Sequence, residues 1–274
     1  MSVPIRIRWQ EEDVPCGAVR LHVRRVAAPP APPLLLLHGL GVAGSVWVPF
    51  ARRLLPDYAA VAPDLRGHGR SDESPEGYEP ADYARDLAGL CTAQGIAAAP
   101  ALGHSLGALV AVALADLRPE LVSALILVDP PLDAARPPTD VERVYRLRHA
   151  PPGELEAYLR AADPGGHAAQ AAALARLFRQ AADAAFETVL ATPPDRWDAW
   201  ERAPRVAQPT LVVQADPAHG GILGPAAASA FVARLPRGRL VTIPGATHAV
   251  HGSHPAALAT AILDFLPEVG GTRG

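Results

Sequence analysis

The chain has 274 residues, 49% of them hydrophobic and 19% charged, which suits one large α/β domain carrying an inserted subdomain. Its formal charge of −3 is scattered in short mixed runs such as Glu11-Glu12-Asp13 and Arg24-Arg25, which argues against a nucleic-acid or membrane-surface partner. Two widely separated cysteines, Cys16 and Cys91, make neither a disulfide framework nor a metal cluster and read as free thiols in a reducing compartment.

Residues 1–15 alternate apolar and charged side chains and lack the uninterrupted apolar core of a signal peptide, so a cytoplasmic location is expected. The period-two runs at 5–9 and 19–23 predict an antiparallel pair, with the acidic stretch 11–17 as the turn between them. A proline-rich connector at 27–33 ends this unit. Short, wholly apolar runs then recur at 34–37, 59–62, 98–102, 124–128, 210–213 and 240–243. Continuous apolarity marks strands buried on both faces of a parallel sheet. Segments with helical spacing, 80–93 and 106–117, lie between them, so βαβ units and a doubly wound, mostly parallel sheet are expected. The interval 131–209 is too long for one crossover. It holds several alanine-rich helical stretches broken at Pro137-Pro138, Pro151-Pro152, Pro164 and Pro193-Pro194. It reads as a helical cap inserted over the carboxyl edge of the sheet, with 1–130 and 210–274 forming the core. The tail 270–274 is expected to fray.

Residues 96–117, IAAAPALGHSLGALVAVALADL, are apolar enough to suggest a membrane span, since about 20 such residues cross a bilayer. His104 and Ser105 in the middle, flanked by Gly103 and Gly107, exclude that reading, because a spanning helix leaves those polar groups unsatisfied. The stretch parses instead as strand, sharp turn and helix, the setting of a G-x-S-x-G nucleophile elbow. The glycines let strand and helix approach, and the serine is held strained at the tip with the helix amino terminus behind it.

Four motifs, in order, make the whole chain resemble the α/β-hydrolase fold family. They are Leu37-His38-Gly39-Leu40-Gly41, the turn from Asp64 through Arg66-Gly67-His68-Gly69 to Ser71, Gly103-His104-Ser105-Leu106-Gly107, and Gly245-Ala246-Thr247-His248. The resemblance implies an oxyanion hole formed by the N–H groups of Leu40 and Leu106. It implies a structural role for His38 and a packing role for the Asp64–Ser71 turn. It also implies that His248, in the turn after the last strand, is the base that takes the serine proton. His251 and His254 nearby raise a zinc alternative, but no carboxylate or cysteine arrangement supports it. His251 is expected to face the cavity and His254 to precede or cap the final helix.

The acid departs from the family pattern. Its usual place, a few residues beyond the strand at 210–213, falls on Ala218. Two candidates remain, Asp129 at the end of the strand 124–128 and Asp216, with Asp129 favoured; each also reads as an Asp-Pro turn. The expected reaction is acyl transfer to water, without cofactor or metal, on a small or medium, mostly neutral ester, lactone or thioester. Cleavage of carbon–carbon bonds in diketone-like substrates by the same triad is the rival enzyme reading, and a non-catalytic ligand receptor the non-enzymatic one. The aromatics of the insertion, Tyr145, Tyr158, Phe178, Phe186, Trp197 and Trp200, are expected mainly to build its own core. The sequence fixes no oligomeric state.

Overall fold

A computed structural model describes residues 9–26, 31–55, 57–135, 139–162 and 168–269. The predicted alternation at 5–8, part of the proline connector, the breaks at 137–138 and 164 and the tail 270–274 lie outside them.

Glu11, Glu12 and Asp13 are not in a turn. They belong to strand β1 (Trp9–Cys16), which pairs antiparallel with β2 (Val19–Val26). The reason is cross-strand charge pairing. Glu11 lies opposite Arg24, with their side chains 3.3 Å apart, and Asp13 meets the Nδ1 of His22 and an N–H of Arg20 at 2.8 and 2.5 Å. The turn shrinks to the residues around Gly17, which has φ +78°.

The remaining strands are β3 (Pro33–Leu37), β4 (Ala59–Pro63), β5 (Ala99–His104), β6 (Val122–Val128), β7 (Thr210–Gln214) and β8 (Gly238–Thr242). One eight-stranded sheet results, in the order β1-β2-β4-β3-β5-β6-β7-β8, parallel from β4 to β8 and antiparallel at β1, β2 and the β2–β4 junction. Consecutive residues of a strand face opposite sides, and the leucine run of β3 shows the consequence. Leu35 and Leu37 join one core with α2 (Pro80–Ala93) and α3 (Leu106–Leu117), while Leu34 and Leu36 join another with α1 (Val48–Ala51) and α11 (Pro255–Val269). The sheet is covered on both faces, as continuous apolarity predicts. β8 is the exception: it lies at the sheet edge, with Leu240 38% exposed.

Between β6 and β7 run α4 (Thr139–Arg148), α5 (Glu154–Ala162), α6 (Ala168–Gln180), α7 (Asp183–Ala191) and the short α8 (Ala199–Arg202). Val144, Leu155, Ala175, Ala181 and Phe186 form a small core of their own, with Tyr145, Tyr158 and Phe178 packed on it. Trp197 and Trp200 instead belong to the main core, where Trp200 meets Phe231 of α9 (Pro225–Val232) edge-on. The short α10 (Val250–Ser253) precedes α11. No helix among the described residues is long and apolar enough to cross a membrane. Cys16 and Cys91 are both buried free thiols, and burial pushes both up to about 11.

Candidate active site

The strand β5 runs two residues further than the apolar pattern suggested, through Gly103 and His104, so that the whole reversal falls on Ser105. Ser105 has φ 54° and ψ −120°, a conformation costing about 1–3 kcal/mol for a residue with a side chain. The surrounding glycines are required by close approach. A Cβ on Gly103 would stand 2.1 Å from the Gly107 carbonyl oxygen, and one on Gly107 only 2.3 Å from that of Leu37. Strand, elbow and the loop after β3 are thereby pressed together.

Two loops meet at this point. Leu40 lies after β3, and Leu106 opens α3; among the described residues neither N–H has a protein acceptor. His38 is structural: its Nδ1 donates to the Gly39 carbonyl at 2.8 Å and its Nε2 accepts from the Leu65 N–H at 2.9 Å. Burial holds this ring down at about 4. Asp64, fully buried, accepts from Arg24, from the Gly44 N–H and from the Arg70 N–H, tying the 64–71 turn to the segment that follows Leu40.

The two aspartates are separated by geometry. Asp129 directly follows β6, with φ 44°, and is 0% exposed. Its Oδ2 lies 2.7 Å from Nδ1 of His248 and accepts from the Ile222 N–H at 2.9 Å. Its Oδ1 accepts from the N–H groups of Ala215 and Leu223 at 3.3 and 3.2 Å. Four donors thus converge on this one buried carboxylate. Asp216 does not touch His248. It accepts from the N–H groups of Ala218 and Gly245 and binds His219, which makes it a brace between two loops, and its carboxyl is held below the usual range chiefly by those backbone donors.

The three histidines of the H-x-x-H-x-x-H run part company. His248, 33% exposed at its side chain, goes to Asp129. The His251 ring lies between Trp47, 4.6 Å away, and His104, 4.9 Å away. His254 caps the carboxyl end of α10 and accepts the Leu258 N–H on its carbonyl. Among the described residues no three metal-ligating side chains converge.

Sequence reasoning missed one contact. His104, buried beside the elbow, donates from Nε2 to the carbonyl of His248 at 2.9 Å. Its place in Gly103-His104-Ser105 was legible, but nothing in the sequence marks a partner 144 residues away.

The helical segment also reaches the site. A Cβ on Gly41, which has φ +75°, would collide with Phe178 at 2.3 Å and Phe186 at 2.8 Å. Leu40 packs against both the main core and the small core of the helical segment. Arg148, the buried arginine of that segment, donates to the carbonyls of Phe178, Arg179 and Ala181 and to Asp183, and its guanidinium lies over the Phe186 ring.

Comparison with known proteins bears on the family and the fold. The chain is 38% identical over 116 residues to 2-(acetamidomethylene)succinate hydrolase of Mesorhizobium japonicum, covering 42% of this chain and 41% of that protein. The chain thus spans about two fifths of the length of that curated relative. The solved structure of an E-2-(acetamidomethylene)succinate hydrolase superposes with a TM-score of 0.79 at 27% identity, over 94% of this chain and 99% of the other. The enol-lactonase of Burkholderia xenovorans LB400 shares the fold, with a TM-score of 0.77 at 24% identity over 93% and 99% of the two chains. A family model of the alpha/beta hydrolases matches residues 34–261, from the start of the parallel sheet into the last helix. The chain belongs to the alpha/beta hydrolase family.

Proposed function

We propose that this hydrolase cleaves a small or medium, mostly neutral ester, lactone or thioester through an acyl-enzyme on Ser105. The observation that carries the reading is the 2.7 Å contact between His248 Nδ1 and the buried Asp129. It fixes the proton on Nδ1 and leaves Nε2 bare to accept one. Ser105 Oγ attacks the substrate carbonyl and its proton passes to His248. The N–H groups of Leu40 and Leu106 hold the oxyanion. His248 then gives the proton to the departing oxygen or sulfur. Water attacks the acyl-enzyme, loses a proton to His248, and that proton returns to Ser105.

The preference for neutral substrates is supported by Arg148, the buried arginine of the helical segment, four of whose five N–H donors are taken by three carbonyls and Asp183. The helical segment acts as a cap, with Phe178 and Phe186 against Gly41 limiting the space beside the oxyanion hole.

A panel of chromogenic acyl esters, lactones, thioesters and diketones, with fluorophosphonate labelling as a second readout, tests the proposal. Expected are a burst of product from short neutral esters and covalent labelling of Ser105. Turnover of diketones alone would move the reading to carbon–carbon hydrolysis. A folded chain that neither turns over nor labels would defeat it in favour of a receptor.

A further inference from the structure

The proposed mechanism gives His104 no task, yet its ring meets the loop that carries His248. It is the last residue of β5, directly before Ser105, and is 7% exposed. Its Nε2 lies 2.9 Å from the His248 carbonyl oxygen. A carbonyl only accepts, so the proton of this imidazole resides on Nε2. The other nitrogen, Nδ1, faces the loop after β3, where a Cβ on Gly39 would stand 3.1 Å from it and 3.3 Å from the Ser105 Cβ. The ring also packs on the His248 ring at 4.5 Å and the His251 ring at 4.9 Å. Burial first, then the two neighbouring imidazoles, holds it far below the usual histidine range, so it is uncharged at neutral pH.

Other bonds tie the His248 loop to neighbouring segments, among them the Asp216 N–H donating to the Ala246 carbonyl. Gly245 donates to Asp216, Thr247 to the Ser253 hydroxyl, and Val250 to the His248 carbonyl itself. Asp129 fixes the orientation of the His248 ring. None of these bonds is made by the nucleophile's own strand. The His104 bond is, and its donor belongs to the residue adjoining Ser105.

We propose that His104 is a positioning residue, whose Nε2–H bond to the His248 carbonyl sets the spacing between the nucleophile elbow and the loop that carries the base. The assignment rests on the serine-hydrolase reading above. A displacement of about 1 Å in such a site costs on the order of 10²-fold in rate. Removing the bond therefore lowers kcat by about that factor while KM, which reflects substrate contacts elsewhere, changes by less than about threefold.

The test uses three variants. His104→Phe keeps the ring and loses the donor. His104→Gln places an amide nitrogen near the position of Nε2, and His104→Asn has the same chemistry but falls short by one methylene. Expected is a fall of about 10²-fold in kcat for Phe and Asn, with recovery to within about fivefold for Gln. In parallel, solvent exchange of the His248 Nδ1 proton is followed by NMR. It should quicken in the Phe and Asn variants and stay near wild type in Gln. This second readout needs no turnover. Failure of the wild type to hydrolyse or label would sink the proposed function alone, whereas the exchange pattern would still judge His104. If Phe does not fold, the Gln–Asn pair decides. Equal kcat and equal exchange across that pair would overturn the proposal.

Discussion

Replacing Asp129 by asparagine is the sharpest perturbation of the site, and the structure determines which way it should fail. The carboxylate accepts four bonds, two at each oxygen. An amide keeps one acceptor. With its oxygen toward His248 and Ile222, the NH2 group would face the N–H groups of Ala215 and Leu223, two donors against donors. With its oxygen toward Ala215 and Leu223, the NH2 faces only one backbone donor, Ile222, and can donate to His248. Each buried donor left unmet costs about 1–3 kcal/mol, so the second orientation is favoured by about that amount. There His248 Nδ1 must become the acceptor, and its proton moves to Nε2, the atom that has to receive the serine proton. The wrong tautomer lowers turnover by on the order of 10⁴, equivalent to about 5.5 kcal/mol at 1.36 kcal/mol per decade. The single unmet donor destabilises the fold by only about 1–3 kcal/mol. Steady-state kinetics on a chromogenic ester measures the first effect, urea unfolding the second, and ¹⁵N NMR the tautomer. Asp216→Asn, which removes a loop brace without touching His248, should cost less than about tenfold in kcat. Near-normal turnover in Asp129→Asn, or a larger loss in Asp216→Asn, would refute the reasoning.

Further outcomes follow from the same geometry. Ser105→Ala should abolish turnover and fluorophosphonate labelling while relieving the strain at φ 54° only in part, so its Tm should stay near that of wild type. Gly107→Ala should destabilise by about 4 kcal/mol or more, because its Cβ meets the backbone oxygen of Leu37 at 2.3 Å; a thermal melt like that of wild type would contradict this. Phe178→Ala should extend the accepted acyl chain, read as a shift in the ester-length profile of kcat/KM; an unchanged profile would place Phe178 away from the substrate. His38 and His68 are held by burial at about 4 and about 3. Both take up protons near pH 6.5 when unfolded, so the unfolded state binds more protons below that pH. Stability contributed by the neutral rings is complete above pH 6.5 and falls by roughly 1.4 kcal/mol per pH unit and ring as pH drops toward 4. Urea midpoints of the wild type and of His68→Phe should therefore converge or cross on acidification; parallel curves would contradict the assignment.

Most of the scaffold was legible because its signals are local. The runs 80–93 and 106–117 coincide with α2 and α3, since helical spacing and flanking breakers are properties of the segment itself. The elbow was legible for a similar reason: Gly103 and Gly107 are demanded by contacts within a few residues of Ser105 or with the loop it adjoins. Two strands were misjudged where neighbours decide. The acidic run 11–13 reads as a turn until the arginines of β2 lie opposite it. The apolar run of β8 reads as a central strand because hydrophobicity does not reveal how many strands lie alongside.

The sequence by itself determined the family, through four ordered motifs that include a serine in a tight turn and a histidine after the last strand. The sequence favoured Asp129 over Asp216, and the tertiary structure separated them by which one meets His248. Both precede a proline at a strand end, so their local signals are the same. What differs is the convergence of donors: the pairing of β6 with β7 brings the N–H groups of residues 215, 222 and 223 and the ring of His248 onto one carboxylate. The contact of His104 with His248 is of the same kind. Partners 144 residues apart meet because the sheet places their loops at one edge, and no pattern along the chain encodes that meeting.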